Sequence, residues 1–240
     1  LKGDEKMDGS PKVLVAIPIF DQKDYIFKEN FEAIKNIDYP NYDYVYIDNS
    51  KKRDYYELLK SRGANVVRVP RGYNSRQALC NSQNYARDRV IREGYDYLMF
   101  VESDLVPTPE CIKRLMSHGG GIVGATYLIG TKVKVPCIFF KDWKPGNHQM
   151  GTRIIRLDEV DNFLNTGLRR IHGMGLGCTL IRSDIIKRFP YYYDERPGNN
   201  KKHSDVYFYM QLDNAHIPVY VDTNYMIEHF PSKWDLVEDR

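Results

Sequence analysis

The apolar run Tyr97, Leu98, Met99, Phe100, Val101 stops at Glu102, Ser103 and Asp104, which places two carboxylates one residue apart. In extended backbone, side chains two apart point the same way, so Glu102 and Asp104 can converge on one cation or one sugar. A buried strand that delivers acidic groups at its C-terminal end is where an open α/β sheet builds a ligand crevice. The same residues would also serve as a solvated acidic turn, so the reading depends on which other polar groups reach that edge. Asp48, Asn49 and Ser50 follow a second apolar run. A carboxylate there can accept from a nucleobase imide or a ribose hydroxyl, or cap the next helix. Arg71, Asn74, Ser75 and Arg76 open a long helical pattern and form a basic, polar entry. Such an entry can hold diphosphate through guanidinium forks and helix N-terminal amides, or be ordinary capping with exposed arginines. Asp205, after His203 and Ser204 at the start of a further helix, is a candidate general base or an early-turn carboxylate. His229 ends the stretch Tyr225, Met226, Ile227, Glu228. An imidazole beside one or two carboxylates makes an acceptable Mn2+ or Mg2+ shell when diphosphate and water complete it.

Bringing these groups to one edge requires strands that alternate with helices. Residues 13–17 read as a first strand ending at Pro18, followed by a helical pattern through Tyr25, Ile26, Phe31, Ile34 and Ile37. Strands at 44–47 and 65–69, a helix around 55–61 and a long helix over 75–93 precede the strand that ends at Glu102. The alternation predicts an α/β fold with a mostly parallel central sheet and helices on both faces. The second half has a different texture. A strand at 122–128 follows three glycines, and residues 132–155 carry β-rich pieces broken by Pro136, Pro145, Gly146 and Gly151. An acidic, loop-like stretch covers 158–166, and Gly173, Gly175 and Gly177 lead into a strand at 178–181. A short helix from Ser183, a helix over 204–215 and a strand at 217–221 follow. The segment from Tyr191 to Lys202 reads as a mobile lid over diphosphate, with Arg196, Lys201 or Lys202 screening charge. Tyr191, Tyr192, Tyr193, Trp143 and Trp234 offer flat rings that can stack on sugar faces or pack as core and interface elements.

With 240 residues, 42% of them hydrophobic, the chain can bury a full core, and one domain over residues 12–240 is the simpler reading. Residues 1–11 are polar and charged, and read either as a disordered or vector-derived tail or as the edge of a domain cut from a longer polypeptide. A net charge of +3 without a basic pole argues against nucleic acid as the partner. Cys80, Cys111, Cys137 and Cys178 lie too far apart in sequence to suggest a zinc site or a disulfide scaffold, so reduced thiols and a cytoplasmic location are expected. No apolar stretch approaches the roughly 20 residues of a membrane span, so a soluble protein with no transmembrane segment is expected.

Taken in order, the blocks resemble one family. Residues 13–25 (VLVAIPIFDQKDY), 46–50 (YIDNS), 71–86 (RGYNSRQALCNSQNYA) and 97–107 (YLMFVESDLVP) resemble the nucleotide-sugar half of a glycosyltransferase of the A-type fold (GT-A), close to family 2. Residues 173–183 (GMGLGCTLIRS) resemble its acceptor-side glycine segment, and 204–229 its closing pattern of catalytic Asp, helix, strand and metal-ligand histidine. The resemblance implies a Rossmann-like, mostly parallel sheet with a smaller mixed β region toward the C-terminus. It also implies a nucleotide-sugar half over 12–107 and an acceptor half over 108–240. Pro18, Asp48, Asn49, Arg71, Arg76, Glu102 and Ser103 would then contact a nucleoside-diphosphate sugar, most simply a UDP-sugar. Gly173, Met174 and Gly175 would lie on the side of a carbohydrate or glycoconjugate acceptor. Asp104 and His229 would hold Mn2+ or Mg2+, with Glu102 as an alternative further ligand, and Asp205 would be the base of an inverting transfer. The chain departs from the pattern at Glu102, where relatives have Asp, and at Ser204, where many have Glu. The second departure leaves Asp158, Glu159 or Asp161 as alternative bases, and retaining relatives share the acidic motif and the histidine. Three other classes fit less well. A nucleotidyltransferase would carry a Gly-rich basic loop after the first strand, where Pro18 to Gln22 stand. A dinucleotide oxidoreductase would open a helix after its glycines. A non-catalytic carbohydrate-binding protein would not need Asp104, Asp205 and His229 together.

Overall fold

The computed structural model describes residues 9–130, 132–144, 149–194 and 203–231. Its strands are β1 (Val13–Ile19), β2 (Tyr42–Asp48), β3 (Val66–Arg68), β4 (Tyr97–Val101), β5 (Leu105–Val106), β6 (Ile122–Thr126), β7 (Leu128–Ile129), β8 (Val135–Pro136), β9 (Ile138–Lys144), β10 (Gln149–Ile154), β11 (Leu168–Ile171), β12 (Gly173–Met174), β13 (Cys178–Arg182), β14 (Val219–Met226) and β15 (Glu228–His229). The helices are α1 (Phe27–Lys35), α2 (Asp54–Ser61), α3 (Ser75–Glu93), α4 (Cys111–Ser117), α5 (Leu157–Val160), α6 (Ser183–Arg188) and α7 (Ser204–Asn214), with a 3-10 turn at Asp21–Ile26 before α1.

Eight strands form the central sheet in the order β11-β14-β6-β13-β4-β1-β2-β3. The half β3-β2-β1-β4 is parallel, β13 runs antiparallel between β4 and β6, and β14 is parallel to β6. The interior strands are apolar because both faces are covered. Along β1, Val13, Val15 and Ile17 pack with Phe27, Phe31 and Ile34 of α1, while Leu14 and Ala16 pack with Ala86 and Val90 of α3. Helix α3 begins where the Asn74 side chain accepts from the Gln77 amide at 3.0 Å and ends at Gly94, whose φ of 69° suits glycine. Both boundaries match those read from the sequence.

Other elements differ from expectation for local reasons. Strand β1 continues through Pro18 to Ile19 because β4 pairs only as far as Ala16, so no ladder donor is needed at the proline. Strand β14 continues past residue 221 through a bulge between Asp222 and Met226, where the register on β6 shifts. The acidic stretch at 158–166 includes part of the short helix α5 rather than loop alone. Ser10 and Pro11 are already tied to the domain, their carbonyls accepting from Asn41 and the Tyr39 hydroxyl at 2.7 and 2.8 Å. Cys80, Cys111, Cys137 and Cys178 are free thiols. Among the described residues no helix is long and apolar enough to cross a membrane.

Candidate active site

In the order β3-β2-β1-β4 the chain leaves β1 toward one side and returns on the other, so a crevice opens beyond the C-terminal ends of β1 and β4. A cleft of about 740 Å³ occupies it, with Pro18 and Phe20 after β1, Glu102, Ser103 and Asp104 after β4, and Asp205 and His229 on its walls.

The acidic turn is held from several sides. The Glu102 amide donates to the Gly177 carbonyl at 2.7 Å. Beneath the turn, the buried Asn30 of α1 donates to the Leu105 carbonyl at 2.7 Å and to that of Glu102 at 3.4 Å, and accepts from the Tyr46 hydroxyl at 2.6 Å. Asp104 is only 5% exposed. Its Oδ2 accepts from Lys23 Nζ at 2.6 Å and lies 3.4 Å from His229 Nε2. Pairing of β15 with β5, His229 opposite Leu105, brings the imidazole to this corner. His229 Nδ1 lies 2.8 Å from the Leu128 carbonyl, which can only accept, so Nδ1 carries a proton and Nε2 is the atom turned to Asp104.

Charge is unevenly stabilised here. Burial pushes the Asp104 carboxyl up, but His229 and Lys23 more than offset it and hold it below its usual range. Burial pulls the His229 imidazole down, yet the hydrogen bond and charge of Asp104 raise it overall. Glu102 is raised, first by burial and then by the Asp104 charge. Asp205 is raised by burial, and the nearby His203 offsets part of that rise. Asp205 sits on the first turn of α7, its Oδ1 accepting from the Val206 amide at 2.7 Å. Ser204 turns away from the cleft to donate to Gln83 of α3, which anchors the start of α7.

The cleft brings together some of the expected residues and leaves others outside. Pro18, Asn49, Arg71, Ser103 and Gly175 line it along with both acidic residues of the turn. Arg71 donates to the Asn49 carbonyl at 3.2 Å and lies over the Phe20 ring. Asp48 is fully buried behind this wall, its Oδ1 accepting from the amide and hydroxyl of Ser50 and its Oδ2 3.5 Å from Arg68 Nε, so it shapes the turn after β2. Arg76 is not part of the lining. Gly173 lines a separate hollow of about 120 Å³ with His172 and Tyr209, and Met174 is buried against Gly124. A Cβ on Gly175 would stand 2.0 Å from the Tyr127 hydroxyl, so the glycine is what lets Tyr127 reach the cleft wall.

None of the alternative bases reaches this space, and of the expected lid only residues 191–194 are described. Glu159 is gripped by two 2.7 Å bonds from Arg153, Asp158 and Asp161 are exposed, and none of the three lines the cleft. Tyr191 belongs to the core, 2% exposed and stacked on Phe208 at 4.8 Å, and the Tyr193 hydroxyl is bonded to Asn74. Its opening residues are therefore anchored. Arg196, Lys201, Lys202, Trp234 and the Trp143 side chain lie outside the described residues.

The profile of glycosyl transferase family 2 matches residues 14–189, from β1 through α6. The chain belongs to glycosyl transferase family 2. Among curated protein sequences nothing matches this family 2 chain. Solved structures similar to it include GalNAc-T7 with UDP, GalNAc and Mn2+, at a TM-score of 0.60 and 12% identity over 94% of this chain and 45% of that one. S. aureus TarS 1-349 gives 0.55 and 16% over 95% and 62%, and its complex with UDP-GlcNAc gives 0.52 and 14% over 94% and 60%. At these identities the likeness is one of fold, and the family 2 chain spans about half to three fifths of the length of those proteins.

Three site residues of this family 2 chain escape the sequence reading. Asn30 and Tyr127 carry no local signal, because a helix Asn and a post-strand Tyr have many uses. Lys23 had one: it follows β1 directly, on the turn that overhangs the crevice.

Proposed function

We propose that the chain transfers a sugar from a nucleoside-diphosphate sugar, a UDP-sugar first among them, to an acceptor hydroxyl on a glycan, a lipid-linked glycan or a small molecule, with inversion at the anomeric carbon. One observation carries the reading: a cleft at the β1/β4 switch point has a paired acid and imidazole, Asp104 and His229, and a separate carboxylate, Asp205, on its walls. UDP with Mn2+ in the GalNAc-T7 structure and UDP-GlcNAc in that of TarS support the choice of donor.

Arg71, Asn49 and Pro18 would receive the nucleotide at the β1 and β2 side, with Glu102 and Ser103 toward the ribose. Asp48 is assigned to the support of that wall, and Gly175 with Tyr127 to the acceptor side. Asp205 would accept the proton of the acceptor hydroxyl as that oxygen bonds to the anomeric carbon and the bond to the diphosphate breaks. A carboxyl raised toward neutrality is the stronger base for this task.

Asp104 and His229 suit a Mn2+ or Mg2+ ion in donor chemistry, one carboxylate oxygen and one imidazole nitrogen turned to each other, and the corner already holds a cation in the Lys23 ammonium. Among the described residues no group of three His, Cys, Asp or Glu forms a cage, so diphosphate and water would have to complete the shell. When bound, such an ion would stabilise the charge that grows on the departing diphosphate.

A thermal-shift panel of nucleotide sugars, with and without Mn2+, tests the reading, since a ligand raises the melting temperature only of a native state that binds it. UDP-sugars are expected to raise it. No shift with any nucleotide sugar would remove the donor site from the proposal.

A further inference from the structure

Lys23 reaches from the turn after β1 to Asp104 Oδ2 at 2.6 Å, and both side chains are largely buried, at 15% and 8% exposure. The same carboxylate oxygen faces His229 Nε2. The ammonium and any divalent ion seated between Asp104 and His229 would therefore compete for one oxygen atom. Lys23 also lines the cleft into which a diphosphate would project, together with Arg71 and His203. A buried ammonium on a four-carbon stem can keep its charge at this corner while exchanging a carboxylate for phosphate oxygens.

Resting on the donor site proposed above, we propose that Lys23 is itself the cation that meets the donor diphosphate, so that UDP binds without a divalent metal, and that a metal ion enters the corner only by displacing Lys23 from Asp104. No covalent step is involved. The two halves of the idea make opposite demands on one substitution. Removing the ammonium should weaken metal-free binding of UDP, because a charge-assisted contact is lost. It should also strengthen binding of Mn2+ alone, because Asp104 Oδ2 is released.

Titration calorimetry with UDP in EDTA, and with Mn2+ in the absence of nucleotide, reads both. The intact protein is expected to bind UDP in EDTA, Lys23→Met to lose that affinity by roughly tenfold or more, and Lys23→Met to bind Mn2+ at least about threefold more tightly. Lys23→Arg, which keeps the charge and controls for loss of fold, should hold UDP in EDTA within about threefold of the intact protein. UDP binding by the intact protein only when Mn2+ is present would overturn the Lys23 role and leave the donor site standing. So would Lys23→Met that matches the intact protein in EDTA or fails to gain Mn2+ affinity, or Lys23→Arg that loses as much as Lys23→Met. No UDP binding under any condition would overturn the donor site as well.

Discussion

Asp205 and Asp104 are both aspartates in one cleft, and their surroundings push them in opposite directions. Asp104 has a lysine and a histidine against it and is held low, whereas Asp205 is raised by burial that a nearby imidazole only partly offsets. This is the separation expected of a cation-binding group and a proton acceptor. Replacing Asp205 with Asn should lower turnover by on the order of a hundredfold or more while leaving UDP affinity within a few-fold, measured by initial rates and calorimetry. If Asp205 is the proposed base, its ionised form is the active one, and kcat/KM should rise with pH along a limb that lies above the ordinary aspartate range. An Asp205→Asn enzyme with wild-type turnover would remove it from the role of base. The spacing E-x-D pointed to this corner from the sequence, and the family resemblance gave Asp104 rather than Glu102 the cation. The Lys23 ammonium against Asp104 was not readable there, because Lys23 becomes a neighbour of Asp104 only through the fold.

Among the elements, the strand pair that carries His229 depends on a bulge. At Asp222 the register of β14 on β6 shifts, and the carboxylate accepts from Arg114 at 2.9 Å and the Asn224 amide at 2.9 Å and lies 3.0 Å from His118 Nε2. The bulge redirects the chain so that Met226 rejoins β6 and Glu228 and His229 pair with β5. Burial pushes the Asp222 carboxyl up, but Arg114, His118 and the Asn224 amide outweigh it and leave it below its usual value. A folded-state value below the unfolded one stabilises the fold above the unfolded value, and that contribution disappears as pH falls through the folded one. Asp222→Asn should therefore lower the melting temperature near neutral pH and flatten its fall on the acid side. Equal acid dependence in the two proteins would show that Asp222 contributes nothing through its charge. The sequence announced neither the bulge nor its ion pair, because Arg114 and His118 lie more than a hundred residues upstream on α4. Strands and helices with strong periodicity and local caps, such as α3 between Asn74 and Gly94, were readable to the residue.

For the molecule as a whole, the expected nucleotide and acceptor halves are not separate packing units. Strand β13 enters the sheet beside β4, and each hydrophobic cluster draws side chains from both sides of residue 107. Denaturant unfolding should accordingly show one transition, coincident by far-UV circular dichroism and intrinsic fluorescence, and a fragment ending at residue 107 should not fold alone. Two separated transitions would assign independent stability to the halves. The alternation of strands and helices made the sheet expected from the sequence. The insertion of β13 against the parallel direction depends on long-range pairing, and the short apolar run Cys178 to Ile181 carries no mark of its direction.

Chain order gives the Lys23–Asp104 pair a further consequence. Lys23 precedes Asp104 by 81 residues, whereas His229 comes close to the end of the described chain. A protein made from its N-terminus has the ammonium available when the β4 turn is synthesised, long before the imidazole exists. Once β13 is made and closes the sheet beside β4, Asp104 can therefore be buried against a counter-charge already present in the chain, and the imidazole joins that corner later.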